Sequence, residues 1–262
     1  MKFNNRNVHI SATATIGKNV RIGDNTTIYD NVVIGDNVTI CNDCVLGEPT
    51  SAYYQNEESY VNKPTYIGTG AFIRSHCIIY AGTSLGEGCI TGHRVTIREN
   101  TIAGKHCLIS TLVDIQGNCK IGDYSRIYSN VHIGEQTVIG NYVFIYPYTI
   151  FTNDPQPPST TLSGAHVDDY SIITIHCKVL PGVRVGKHCL VGANSVISRD
   201  IEEYSFAMGA PAKRIRDIRE IPSKMDNTES YYPWPYHFER GMPWQGIGYD
   251  KWVEDRGVAD NG

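Results

Sequence analysis

The sequence predicts an all-β chain wound as a left-handed parallel β-helix of hexapeptide repeats, carrying two loop insertions and ending in a C-terminal helix and aromatic tail. Three periodic columns carry this prediction. An aliphatic residue returns at every sixth position, a small residue follows each such anchor by four places, and a residue tolerant of tight turns follows it by three. A period of six fits neither the 3.6 of a helix nor the plain alternation of one long strand, so it marks a structural repeat.

The anchors begin at Ile10 and continue through Ile16, Ile22, Ile28, Ile34, Ile40 and Leu46. After an interruption they resume at Ile67, Ile73, Ile79 and Leu85 and run to Ile145, with Thr91 and Ala103 as the exceptions to the aliphatic rule. A third stretch holds Ile173, Val179, Val185, Val191 and Ile197. The small column runs from Ala14 to Ser195, and the turn column includes Asn19, Asn25, Asn31, Asn37, Gly82, Asn100, Asn130 and Asn194. Asn, Asp, Gly and His are the residues that best accept positive φ. Short flat strands turning three times per 18 residues stack with roughly 4.8 Å between coils, so eight or nine coils make a rod about 40 Å long. Neighbouring coils stabilise one another rather than themselves.

Two segments leave the register, roughly 47–66 and roughly 152–170, and both are expected as loops thrown out from the rod. Loops on a rigid scaffold are where binding and catalysis concentrate. The repeat domain spans 1–200. The remainder, 201–262, is expected to close the coil with a short helix after Pro211, because an open β edge needs a cover. Its aromatic tail, with all three tryptophans, is expected to pack along the rod or a neighbouring subunit, with stacking on a base as the alternative.

The same register accounts for residues that invite chemistry. Cys44, Cys77, Cys89, Cys107, Cys119, Cys177 and Cys189 fall in the small inward column, where a thiol is a compact apolar group. Cys41 and Cys44 form a lone C-x-x-C with no second pair, so no metal is expected. His76, His106, His176 and His188 sit in the turn column. A net charge of −4 leaves no broad cationic field for nucleic acid. The start of the chain lacks the apolar stretch of a signal peptide and no run of about 18 apolar residues exists, so a cytoplasmic protein without a membrane partner is expected.

The hexads over residues 8 to 218, closing with GAPAKRIR, resemble the left-handed β-helix acyltransferases. The runs TGHRVTIREN (Thr91 to Asn100) and IYPYTIFTND (Ile145 to Asp154) are similar to N-acetyltransferases acting on dTDP-linked 3-amino-3,6-dideoxyhexoses. That resemblance implies acetyl-CoA as co-substrate, a nucleotide sugar as acceptor, and a homotrimer with active sites between neighbouring rods. The coils are expected to start near residue 8 with neither a long nucleotide-binding domain nor a helical region before them, which weighs against the pyrophosphorylase and serine acetyltransferase branches. The paired H-x-x-x-x-H spacing of γ-class carbonic anhydrases is missing.

N-acetylation requires a positioned amine, stabilisation of the tetrahedral oxyanion and a route for a proton. Glu99, Gly117, Glu135 and Asn153 share one hexad position in successive coils, and the resemblance makes Asn153 a substrate-site residue. Asn153 is the candidate to hold the amine, with Glu135 as partner; a turn role for Asn153 is the alternative. His93 lies one place before the turn column and is the candidate base or acceptor ligand, otherwise a solvent-facing imidazole. It occupies a different corner from Asn153, so the two meet only between subunits. Arg98, Glu99, Asn100 and Asp154 are candidates for the substrate, Arg98 offering a fixed fork of donors. Lys213, Arg214 and Arg216 are candidates for the CoA phosphates, and Ala193, by resemblance, for a backbone contact with CoA. Two other functions remain open at this point: O-acetylation with His93 as base, and a non-catalytic β-helix scaffold.

Overall fold

Most hexads form a strand of two or three residues that ends on the aliphatic anchor, as in Thr27–Ile28, Thr39–Ile40 and Thr96–Ile97. The computed structural model describes residues 4–223 and 230–256. These strands stack into three faces of 10, 9 and 11 strands, parallel except for the last strand of the third face, and the chain visits the faces in rotation as far as Val196–Ile197. The register is that of the 18-residue coil: Ile97 pairs with Ile115, and Ile115 with Ile133. All three are fully buried in one continuous apolar interior. Burying such a side chain contributes on the order of 1.5–3 kcal/mol gross, largely offset by chain ordering.

The turn column behaves as its composition demands. Asn19, Asn25, Asn31, Asn37, Asn100, Asn130 and Asn194 have φ between 56° and 60°, and His76, His106, His176 and His188 share the left-handed conformation. The side chains also bond along the rod: Asn19 Nδ2 donates to Asn37 Oδ1 at 3.2 Å and Asn100 Nδ2 to Asn118 Oδ1 at 3.1 Å.

The seven inward cysteines are all buried and Cys41 is half-buried. Several thiols donate to a carbonyl one coil on, as Cys89 does to Gly104 at 3.0 Å and Cys107 to Gly122 at 3.1 Å. Burial pushes the Cys119 thiol up to about 11 and that of Cys189 up to about 12. A thiolate is the reactive form, so these positions resist alkylation while folded. Native protein treated with a thiol-specific chromogenic reagent at pH 8 is expected to titrate only Cys41 on the minute timescale, whereas denaturant releases all eight thiols. Rapid native titration of Cys119 or Cys189 would contradict the inward column.

Both insertions leave the same corner, between the first and second faces, and both are shorter than the sequence suggests. The first follows Val45–Glu48, carries the helix Ser51–Gln55 and ends at Thr65–Ile67. The second follows Ile150–Phe151 and ends at His166–Val167. Buried Ala165 and Val167 already occupy the small and apolar columns there, and Tyr170 takes the turn at φ 62°.

The end of the coil differs from expectation. Instead of a helix after Pro211, Ser205–Gly209 pairs in parallel with Leu190–Val191 and then antiparallel with Ala212–Asp217. A short 3₁₀ turn, Ile218–Glu220, follows. The apolar–basic alternation of this segment has a period of two, which is a strand pattern, and a strand satisfies the backbone groups of the open edge directly. The helix of this region lies later, at Tyr249–Asp255. The aromatic tail packs along the rod: Trp234, Trp244 and Tyr249 bury against Tyr142 and Phe144, and Trp234 Nε1 donates to the Tyr170 carbonyl at 2.7 Å. Among the described residues no helix is long and apolar enough to cross a membrane.

Candidate active site

In a flat two-residue strand the anchor points inward and its neighbours point outward. Along the first face, Asp114 and Gln116 therefore flank buried Ile115 on the outside, and His132 precedes buried Ile133 one coil further on. Because Asp114 and His132 are register partners, their side chains meet: His132 Nδ1 lies 2.9 Å from Asp114 Oδ2. The hydrogen bond from His132 is the main reason that the Asp114 carboxyl sits below its ordinary range. An ionised carboxylate only accepts, so Nδ1 carries the proton and Nε2 is the nitrogen left for a ligand.

His132 borders a cleft of about 570 Å³ whose wall includes Ile150, Thr152, Asn153, Asp154 and Leu180. The second insertion overhangs this cleft. Asn153 lies at its mouth, half-buried. The Asn153 carbonyl accepts from Ser163 N at 2.7 Å, while its side-chain amide makes no hydrogen bond among the described residues. Asp154 is committed to shaping the loop: its carboxylate accepts from the backbone of Gln156 and Ser159 and from the Ser159 hydroxyl. These bonds, the Ser159 hydroxyl first, hold its carboxyl below the ordinary range.

The other candidates divide between two corners. Glu135 stands on the corner below Asn153 and accepts from Asn118 Nδ2 at 2.7 Å. Arg98 grips Glu99 with two bonds, Nε to Oε2 at 3.0 Å and Nη2 to Oε1 at 2.9 Å. Asn100 is held in the asparagine ladder and accepts from Lys63 Nζ at 3.0 Å. His93 is exposed at the corner between the third and first faces, with Nδ1 3.0 Å from Ser75 Oγ, and borders a separate shallow cleft with Arg74 and Thr111. Ala193 is exposed in the same column of turns, several coils along. Lys213 and Arg216 are exposed on the terminal hairpin near it, and Arg214 bonds Ser205 Oγ at 3.2 Å. One chain thus brings Asn153, Asp154 and Glu135 together with Arg98 and Glu99 further down the same corner, and leaves His93, Ala193 and the terminal cations elsewhere.

His132, Asp114 and Gln116 are absent from the sequence-level candidates. The signal was present: Asp114 and His132 are 18 residues apart in the position before an anchor, which the repeat makes adjacent. The pair sits at an outward strand position, where no recurring residue type marks it.

Residues 6–48 match the model of the bacterial transferase hexapeptide (six repeats), and residues 64–92 and 182–203 match the hexapeptide repeat of succinyl-transferase. A Staphylococcus aureus (strain MRSA252) protein named as an inferred acetyltransferase is 45% identical over 56 residues, 21% of this chain and 28% of that one. The 2,3,4,5-tetrahydropyridine-2,6-dicarboxylate N-acetyltransferase of Ligilactobacillus salivarius is 35% identical over 66 residues, 25% of this chain and 27% of that one. The chain thus spans little more than a quarter of these curated relatives. Among solved structures, the Arabidopsis UDP-N-acetylglucosamine acyltransferase superposes with a TM-score of 0.65 at 18% identity, covering 80% of this chain and 72% of that one, a likeness of fold.

Proposed function

From bacterial transferase hexapeptide repeats wound into a left-handed β-helix, we propose that this chain is an acetyl-CoA-dependent N-acetyltransferase whose acceptor is the amino group of a nucleotide-linked amino-deoxy sugar. The observation that carries the reading is the cleft lined both by a histidine oriented by an aspartate and by an asparagine whose side-chain amide has no hydrogen-bond partner among the described residues. The two short segments similar to dTDP-amino-sugar enzymes support the acceptor class, and the second of them contains Asn153.

In this reading the acceptor nitrogen attacks the thioester carbonyl of acetyl-CoA, and the tetrahedral oxyanion collapses with cleavage of the C–S bond. Asn153 holds the amine, His132 Nε2 takes the proton that the amine loses, and the CoA thiolate leaves. Asp114 holds the imidazole in the tautomer able to accept. Glu135, one coil below, and Arg98, Glu99 and Asn100 flank the acceptor along the corner. Acetyl-CoA belongs to the other corner, where Lys213, Arg214 and Arg216 offer cations for its phosphates beside Ala193. Since those groups and His93 lie away from the cleft in one chain, the complete site is read as lying between two rods of a homotrimer.

Acetyl-CoA turnover, followed by thiol release over a panel of nucleotide-linked amino sugars, tests the assignment. Asn153→Ala is expected to lower turnover of the best substrate about 100-fold, and calorimetry is expected to detect acetyl-CoA binding. No heat of binding up to millimolar acetyl-CoA would favour a scaffold instead. The His132–Asp114 pair specifically favours one second reading, O-acetylation, because a hydroxyl needs a base more than a partly neutral amine does. Hydroxylated sugars that lack the amine, added to the same panel, separate the two.

A further inference from the structure

On the first face the histidine–aspartate pair continues into a chain of polar contacts. Asp114 Oδ2 accepts from two donors, His132 Nδ1 and Gln116 Nε2, each at 2.9 Å. Gln116 Oε1 in turn faces Arg98 Nη1 at 3.5 Å, and Arg98 is forked onto Glu99. The ring of Tyr80 lies 5.5 Å from the Arg98 guanidinium carbon and limits its movement on the other side. The orientation of the Gln116 amide follows from its neighbours. A flipped amide would set its oxygen against a carboxylate and its NH₂ against a guanidinium, so only one orientation satisfies both ends.

We propose that Gln116 is a positioning residue: its amide locks the Asp114 carboxylate toward His132 and links that pair to Arg98, the cation proposed to meet the acceptor. The inference rests on the reading of His132 as proton acceptor. Asp114 has two rotatable bonds and is partly exposed, so one hydrogen bond from His132 does not by itself fix the carboxylate. The second donor, on a side chain two residues along the chain, removes that freedom. A ligand anion that draws on Arg98 then acts on the Gln116 oxygen and, through the amide, on the pair.

The charged groups around His132 come from every side. Asp114 lies on the preceding coil, with Arg98 and Glu99 beyond it; Asp154 overhangs from the second insertion; Glu135 stands at the adjacent corner; and Lys178 lies on the coil after Ile150. A change at Gln116 removes none of these charged groups. Gln116→Glu adds a negative charge near the imidazole, while Gln116→Leu removes the second donor at similar size.

Titration of the His132 ring by NMR, together with the pH profile of kcat, tests the proposal. Gln116→Glu is expected to raise the His132 midpoint by about half a pH unit, the effect of one added charge within about 6 Å through a water-like dielectric. It should move the acid limb of kcat the same way. Gln116→Leu is expected to lower the fraction of the Nδ1–H tautomer. Arg98→Met supplies a second probe should Gln116→Leu fold poorly, and is expected to change the His132 midpoint without touching the pair directly. An unchanged midpoint and tautomer in the folded variants would overturn the relay. Loss of the base reading itself would look different, as full activity in His132→Ala.

Discussion

Replacing His132 by alanine is expected to lower kcat about 100- to 10,000-fold, the range that a positioned general base contributes, with little change in the KM for acetyl-CoA. The side chain lies on the outside of the rod, flanking but not entering the interior, so circular dichroism and the unfolding midpoint should stay close to those of the parent. His93→Ala offers the contrast: its exposed ring bonds Ser75 at another corner, and a smaller loss is expected unless the neighbouring rod brings it to the cleft. Activity of His132→Ala within a few fold of the parent would remove His132 as base. The pH dependence has a definite sign. The hydrogen bond from His132 depresses the Asp114 carboxyl, so the contact contributes fully above the ordinary carboxylate range and is lost as pH falls through the depressed value. Structural loss of the pair is therefore expected only as pH falls below the ordinary carboxylate range, where Asp114 takes up its proton.

Ile115→Ala is expected to destabilise the chain by about 2–5 kcal/mol, measured as the shift in urea midpoint multiplied by the m-value. Ile115 is fully buried and stacked between Ile97 and Ile133, so neither neighbour can collapse into the space without leaving its own strand. Ile102→Ala is the control, because Ile102 is about half exposed and points out from the second face; a change within about 0.5 kcal/mol is expected there. Equal effects at the two positions would show that the six-residue column does not mark the interior. Repeat arrays can lose cooperativity locally, so a fall in the m-value of Ile115→Ala would mean that the rod parts at that coil.

The interior of the rod was legible from single residues. From Ile28 onward every aliphatic anchor and every inward cysteine is buried as the period requires, because side chains six residues apart meet the same steric demand in each stacked coil, whereas Ile10 and Ile16 on the first coil are exposed and Ile22 is half-buried. The positive-φ asparagines and histidines were legible for the same reason: the turn conformation is a property of one residue and its neighbours. The exit points of the two insertions are also visible, although the sequence alone places Ala165 and Val167 within the second loop, where the structure has them back in the coil.

The sequence by itself determined the coil, its register and the corner on which Asn153 and Glu135 stand, since all of these are set by local sterics repeated at a fixed interval. Only the tertiary structure decided what the outward side chains do. The Asp114–His132 contact, the commitment of Asp154 to its own loop, the pairing of Arg98 with Glu99 and the strand that closes the coil depend on rotamers and on unpaired edges. Those have no period to read, because an outward position is free of the packing constraint that imposes one.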